Sequence, residues 1–376
     1  MNVALIILHA DPSRGGAERY TLDLAVALAK RGRHVSVLAT SFAEDWPAGV
    51  TPVPLVANGL TRAKQYRRFL DAVDAQVAAT RYDVVHAMLP VRTCDVYHPH
   101  AGLAVEKEQQ TGLRLLFNRR RKLMAEVERA LLTGPKPPIV LSLSEYVKRD
   151  IVRHYPALSD RLVTLFNAVA TDYFDPEGNH DHTSVRPGRG IADEEVVALI
   201  VAQDFERKGV PQAVAATRRI NVDRQPGQPR LRLLVVGKHR PAVDGDVIYA
   251  GVNWKVVLFY AAADFFVLPT KHDPCSLVVL EALAMGLPVI STRFNGACEV
   301  VADGVHGFVL DDPNDLDALA GAMRKLMDPE LRAQMREACL ALRPRLSYET
   351  HLDDLTRVYE RVQATRGPTR STAPSA

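Results

Sequence analysis

The sequence predicts an α/β fold built as two similar halves, and three observations predict it. Short apolar runs of strand length alternate with amphipathic helical stretches from residue 2 onward. The alternation stops at residues 175–190, a polar stretch rich in Asp, Gly, His and Pro, and resumes at residue 196. The chain has 376 residues, enough for two domains of ordinary size. Strands that alternate with helices form parallel sheets covered on both faces, so each half is expected to be a Rossmann-like unit. The expected domains are residues 1–175 and 190–347. A helix over 348–364 follows, and then a Pro-, Ser- and Thr-rich tail, 365–376, expected to be disordered.

Composition removes several classes. A hydrophobic content of 47% with 24% charged residues is that of a water-exposed globular protein. A net charge of +3 gives no global attraction to nucleic acid. The four cysteines, Cys94, Cys275, Cys298 and Cys339, form no C-x-x-C pair and no metal spacing, and read as reduced thiols of a cytoplasmic protein. Met1 leads straight into the apolar run 3–8 without a basic segment, so no signal peptide is expected. No apolar run reaches the ~18 residues that a membrane span needs.

In the first half, residues 2–8 are near-continuously apolar, as in a central parallel strand. A turn-rich loop, His9 to Gly16, leads to an amphipathic helix over 17–31, closed by Gly32, and to a strand over 35–38. Gly15-Gly16 lets backbone approach a ligand, and fits plain turn chemistry equally. It is not a G-x-G-x-x-G fingerprint, which disfavours a nicotinamide cofactor. Pro54 marks an edge strand at 53–56, and a helix over 62–79 precedes a strand at 84–87. His98 and His100 flank Pro99 where open α/β sheets place ligands, although loop histidines are also often merely solvated. Residues 103–132 combine Leu113, Leu115, Leu116 and Phe117 with Arg114, Arg119, Arg120, Arg121 and Lys122. Such a basic, apolar segment fits a membrane-surface element, or a solvated helix packed on the sheet. Strands at 139–143 and 162–165 close the first half, with Ser144 capping a helix between them.

In the second half a strand over 196–201 runs into Gln203-Asp204-Phe205-Glu206-Arg207-Lys208-Gly209. The Arg207-Lys208 pair before a helix N-terminus suits a phosphate cradle, and also an exposed linker charge. A strand over 231–236 is followed so soon by Val247-Ile248-Tyr249 that the usual intervening helix has no room. A helix over 255–263 and a strand over 265–268 lead to KHDPCSLVVLEALAMGLPVIST, residues 271–292. Asp273, Pro274 and Ser276 supply turn and N-cap chemistry, residues 277–285 form a helix apolar but for Glu281, and Gly286 and Pro288 end it. Asp273 and Glu281 stand eight residues apart, about 12 Å if the chain between them is helical. That reach suits a ligand with polar ends and a central anion resting on the amides of Cys275, Ser276, Leu277 and Val278, as a nucleotide-diphosphate sugar has. A cap and a solvent-facing glutamate would produce the same two letters. Strand 307–310 and helices over 313–327, 329–342 and 348–363 complete the chain.

The stretch DPCSLVVLEALAMGLPVIST resembles the E-x7-E signature of retaining GT-B glycosyltransferases, family 4 in particular, with Asp273 where the family has Glu. The resemblance covers nearly the whole chain and is nearest to the lipopolysaccharide core glucosyltransferase I type. It implies a GT-B fold: two Rossmann-like domains facing a cleft, with the C-terminal helix crossing back to the first. It implies an EC 2.4 hexosyltransferase that moves glucose from UDP-glucose, with retention, to a lipopolysaccharide or other cell-envelope glycan or glycolipid. Gly15-Gly16-Ala17-Glu18 matches a G-G-x-E loop beside the donor phosphates, with Glu18 and Arg19 turned toward the ligand. Lys208-Gly209 matches a turn whose lysine pairs with the diphosphate; the family's Gly-Arg pair is absent, and Arg207 would compensate. Gly251 and Val252 would meet the nucleobase, Glu281 the ribose, and Asp273 with His100 (or His98) the donor sugar. The implied catalytic set is Asp273, Glu281, Lys208 and His100. No metal or other cofactor is implied, since the nucleotide sugar is a substrate, and no nucleic acid partner is. Arg119, Arg120, Arg121 and Lys122 would touch an anionic inner-membrane surface from the cytoplasmic side. The rival readings are a GT-B sugar-nucleotide epimerase and a degenerate donor-binding or membrane-scaffold protein.

Overall fold

The computed structural model describes residues 1–100, 102–105, 118–178, 185–238, 242–253 and 255–366. The apolar cluster at 113–117, the histidines at 180 and 182, and most of the C-terminal tail lie outside the described residues. The chain divides into two compact units, Met1–Leu165 with His351–Ala376, and Phe166–Thr350.

The first unit holds a seven-stranded sheet, β1 (Asn2–Ile6), β2 (His34–Ala39), β3 (Val50–Pro54), β4 (Val84–Ala87), β5 (Val96–Tyr97), β6 (Ile139–Ser142) and β7 (Leu162–Thr164). Its order is β3-β2-β1-β4-β5-β6-β7, with every pairing parallel. Its helices include α1 (Gly16–Lys30), α2 (Arg62–Ala79), α3 (Arg119–Thr133) and α4 (Glu145–His154). Local chemistry starts the last three. Thr61, Asn118 and Ser144 accept from the amides of Lys64, Arg121 and Val147. Leu123, Met124 and Val127 of α3 are partly buried and pack against the core cluster that holds Tyr66, Phe69 and Val91. Glu128, fully buried in α3, accepts from the Tyr97 hydroxyl at 2.5 Å and from the amides of Ala104 and Val105 at 3.0 Å.

The second unit repeats the plan with β8 (Val196–Ala202), β9 (Leu231–Gly237), β10 (Ala242–Asp244), β11 (Val247–Gly251), β12 (Phe265–Leu268), β13 (Val289–Thr292) and β14 (Gly307–Leu310). The order is β10-β11-β9-β8-β12-β13-β14, parallel except for β10. The helices are α5 (Phe205–Lys208), α6 (Val210–Val222), α7 (Val257–Ala262), α8 (Leu277–Ala284), α9 (Leu316–Lys325), α10 (Pro329–Ala341) and α11 (Arg343–Leu346). Between β9 and β11, where a crossover helix would normally lie, the described residues carry only β10, an exposed edge strand antiparallel to β11. Arg343 fastens the start of this unit to the end of α8: it donates to the carbonyls of Thr171 (2.9 Å), Phe174 (2.8 Å) and Ala284 (2.6 Å).

The last helix, α12 (Tyr348–Arg366), joins the first unit from His351 onward. Leu352, Leu355, Val358, Tyr359 and Val362 are buried. Arg31 pairs with Asp353 at 2.6 Å, and Arg361 donates to the Asp160 carbonyl at 2.9 Å. Among the described residues no helix is long and apolar enough to cross a membrane.

Candidate functional site

In a doubly wound sheet the loops at the reversal of strand order diverge and leave a crevice beyond the strands' carboxyl ends. In the second unit that reversal lies between β8 and β12. The loop after β8 carries α5, capped by Asp204, with Lys208 at its last position. The loop after β12 carries Thr270 to Ser276. Backbone and side chains lock the two loops together. Lys271 donates its amide to the Arg207 carbonyl at 2.9 Å, Thr270 Oγ1 donates to the same oxygen at 3.1 Å, and Arg207 Nη1 donates to the His272 carbonyl at 2.8 Å. Lys208 Nζ forms an ion pair with the Asp273 carboxylate, the two side chains being 13% and 10% exposed. Gly209 makes the approach possible. Its φ is +76°, and a Cβ there would stand 2.2 Å from the Pro269 carbonyl oxygen. Gly209→Ala is therefore expected to cost about 2–4 kcal/mol, read as a lower denaturant midpoint at unchanged slope.

The start of α8 differs from the cap chemistry expected. Asp273 is taken by Lys208, and Ser276, at the N-cap position, makes no side-chain cap bond. Asn295 Oδ1 accepts instead, from the amides of Ser276 and Ala297 at 3.1 Å each. Ser276 Oγ is left buried with no hydrogen-bond partner. The amides of Leu277 and Val278 have no acceptor one turn back, as at every helix start. A buried hydroxyl beside such amides is a donor set for an anion. Cys275 contributes backbone and bulk rather than a nucleophile, because burial pushes its thiol pKa well up. Asn167 Nδ2 holds the Cys275 carbonyl at 2.9 Å.

Glu281 sits in the second turn of α8. Tyr260, from α7, donates its hydroxyl to Glu281 Oε2 at 2.8 Å and lies 3.2 Å from the Val278 carbonyl. Only Leu277 to Glu281 of the eight-residue interval is helical, so the span of a continuous helix does not apply; Asp273 reaches in from a loop. Gly251 ends β11 with φ +76°, and Val252 beside it is 58% exposed, an apolar surface left open at the strand's carboxyl end.

The first unit carries the other expected residues. Gly15 has an extended backbone that any residue adopts, and a Cβ there would meet only the Glu18 carboxylate at 3.0 Å; Gly16 begins α1. Glu18 is held above the usual carboxylate pKa, chiefly by burial. Arg19 does not turn outward with it: it pairs along α1 with Asp23 at 3.1 Å. His98 and His100 are buried, not solvated, in a ring cluster with Tyr20, His86 and His351. His98 and His100 centroids are 4.2 Å apart, and His86 and His98 centroids 5.6 Å. His86 Nδ1 bonds the Tyr359 hydroxyl at 2.8 Å, and the Tyr20 hydroxyl bonds His351 Nε2 at 2.7 Å. Both nitrogens of His98, and Nε2 of His86 and of His100, are buried without partners. Burial lowers all three pKa values, that of His86 to about 3, so the rings are neutral. Among the described residues no three of His, Cys, Asp and Glu are placed to hold a metal ion. Of the basic run, Arg119, Arg121 and Lys122 are exposed while Arg120 is partly buried.

Sequence reasoning missed Tyr260, Asn295 and the depth of the histidine cluster. Tyr260 carried a weak signal, a hydroxyl on an otherwise apolar helical stretch that must find a partner once buried.

Residues 14–173 match the model of Glycosyltransferase Family 4, and residues 195–329 that of Glycosyl transferases group 1. The lipopolysaccharide glucosyltransferase WaaG of Escherichia coli K12 is 25% identical over 325 residues, covering 83% of this chain and 86% of that protein. A D-inositol 3-phosphate glycosyltransferase of Acidothermus cellulolyticus is 27% identical over 419 residues, covering 97% and 91%. The crystal structure of WaaG, a glycosyltransferase involved in lipopolysaccharide biosynthesis, matches with a TM-score of 0.79 at 24% identity, over 96% of this chain and 99% of that one.

Proposed function

The chain belongs to the GT-B glycosyltransferases of family 4, and on that footing we propose that it transfers glucose from UDP-glucose, with retention, to a lipopolysaccharide or related cell-envelope acceptor. The observation that carries the donor half is the Lys208–Asp273 pair at the β8/β12 reversal, beside the unpartnered Ser276 hydroxyl at the start of α8. An ammonium has three donors, so Lys208 can hold Asp273 and a diphosphate oxygen together. Lys208, Ser276 Oγ and the Leu277 and Val278 amides then stabilise the charge that grows on the departing diphosphate. Glu281, fixed by Tyr260, accepts from the ribose hydroxyls. Asp273 positions the sugar. The acceptor hydroxyl attacks from the face the diphosphate leaves, forming the new C–O bond as the sugar–phosphate bond breaks and passing its proton to the leaving oxygen. The name of the relative from Escherichia coli supports glucose and lipopolysaccharide; the exposed Arg119, Arg121 and Lys122 support a site of action at the cytoplasmic membrane surface.

The short β9–β11 connection favours a second reading, a donor-binding protein without transfer. A donor-hydrolysis assay over UDP-, GDP- and ADP-sugars separates the two. The transferase is expected to release free glucose from UDP-glucose faster than from the others. No release from any donor supports the binder, and a sugar altered at C2 supports an epimerase.

A further inference from the structure

The basic run at the start of α3 is one helical turn long, and its four residues do different things. Three face solvent, while Arg120 turns in. Its Nε is buried and has no hydrogen-bond partner, and among the described residues no carboxylate pairs with its guanidinium. Where it points is set by packing. Leu123 and Met124, a turn further on, pack against the core cluster that holds Ile6 of β1, Tyr66 of α2 and Ala87 of β4. The strand order of the first unit reverses between β1 and β4, and Arg120 lies near His9, in the loop that follows β1, at this switch point. Tyr66 closes the floor by donating its hydroxyl to the Pro90 carbonyl. Among the described residues, the charges within reach of Arg120 are of its own sign or titratable. Arg62 begins α2, and His9 follows β1, with Arg14 further along the same loop. Asp11 on that loop faces His9 and Arg14 instead. A half-buried guanidinium surrounded by like charge is unfavourable unless an anion completes it.

We propose that Arg120, flanked by Arg62 and His9, forms a phosphate-binding subsite at the switch point of the first unit, and that the acceptor is engaged there through a phosphate ester. Arginine suits the task, since its planar fork binds two phosphate oxygens at once. The identity of the bound group as part of an acceptor rests on the transferase reading; the subsite itself does not.

The test uses the full chain saturated with UDP, so that the donor-side phosphate positions are filled, and follows the binding of glucose 6-phosphate, glucose and inorganic phosphate by calorimetry. The wild type is expected to bind glucose 6-phosphate and phosphate but not glucose. Arg120→Gln should weaken both phosphates at least tenfold, and Arg119→Gln, on the same turn but exposed, should not. Arg120→Gln is also expected to raise Tm by about 2–4 °C, because a half-buried unpaired charge is removed. Phosphate binding unchanged in Arg120→Gln, or glucose bound as well as its phosphate, overturns the proposal. Lowered Tm with unchanged phosphate binding makes Arg120 structural and overturns it too. Vesicles of phosphatidylglycerol identify the source of the phosphate. Equal binding by wild type and Arg120→Gln supports a soluble or glycan phosphate, and a loss in Arg120→Gln alone supports a lipid headgroup in the same subsite. Arg120-dependent phosphate binding without any sugar transfer would leave the subsite standing and remove the transferase reading.

Discussion

The first unit is expected to unfold in acid at about pH 4–5, well before the midpoint expected from carboxylates alone. His86, His98 and His100 are buried and neutral, with pKa values below the ordinary 6.5, that of His86 at about 3. The unfolded chain therefore binds these protons first. Stability from the cluster is complete above pH 6.5 and is lost as pH falls toward the folded values. Each such histidine removes ~1.4 kcal/mol per pH unit in that window, so three remove up to ~4 kcal/mol per unit. A domain holds only about 5–15 kcal/mol. Two hydrogen bonds that tie α12 to β4 and to α1, His86 to Tyr359 and Tyr20 to His351, lie within the cluster, so α12 should leave with it. His98→Leu tests the origin. Both nitrogens of His98 lack partners, so the apolar variant removes one proton-uptake site without breaking a bond. Far-UV circular dichroism during acid titration should show its midpoint lowered relative to wild type. An unmoved midpoint would place the acid lability elsewhere.

Lys208→Gln is expected to lower kcat/KM for UDP-glucose by about 10²–10³, the loss typical when one preorganised charge or donor is removed from a developing anion. Glutamine is the informative replacement because its amide can still donate to Asp273, leaving that buried carboxylate bonded. Lys208→Ala would also strand Asp273, confounding rate with folding. A Tm near wild type with a large loss of rate separates the two effects. If Lys208→Gln kept its rate, the ammonium would be a loop lock and nothing more, in line with its ion pair to Asp273 across 65 residues of sequence.

That pair also shows what a sequence can and cannot carry. Alternating apolar runs announced the two parallel sheets, because strands buried on both faces are written as continuous valine, leucine and isoleucine. The shortage of chain between β9 and β11 was legible as arithmetic, and the edge strand β10 is what fills it. Lys208 and Asp273 were each visible as charges at loop positions, but their contact depends on β12 lying next to β8, which no local pattern encodes. Asp273 and Ser276 read as capping residues by type, whereas Asn295, nineteen residues beyond Ser276, supplies the acceptor. In the run Arg119 to Lys122 the letters give no hint of which side chain turns inward. At about 100° per residue only one in four can face the sheet, and that choice belongs to Leu123 and Met124.

A calorimetric titration of UDP-glucose into the wild type, Glu281→Ala and Lys208→Gln tests the donor site directly. A single site on the wild type, weakened at least tenfold in each variant, is the predicted result. No binding heat with the wild type, or equal affinity in all three proteins, would contradict the assignment of the β8/β12 reversal as the donor site.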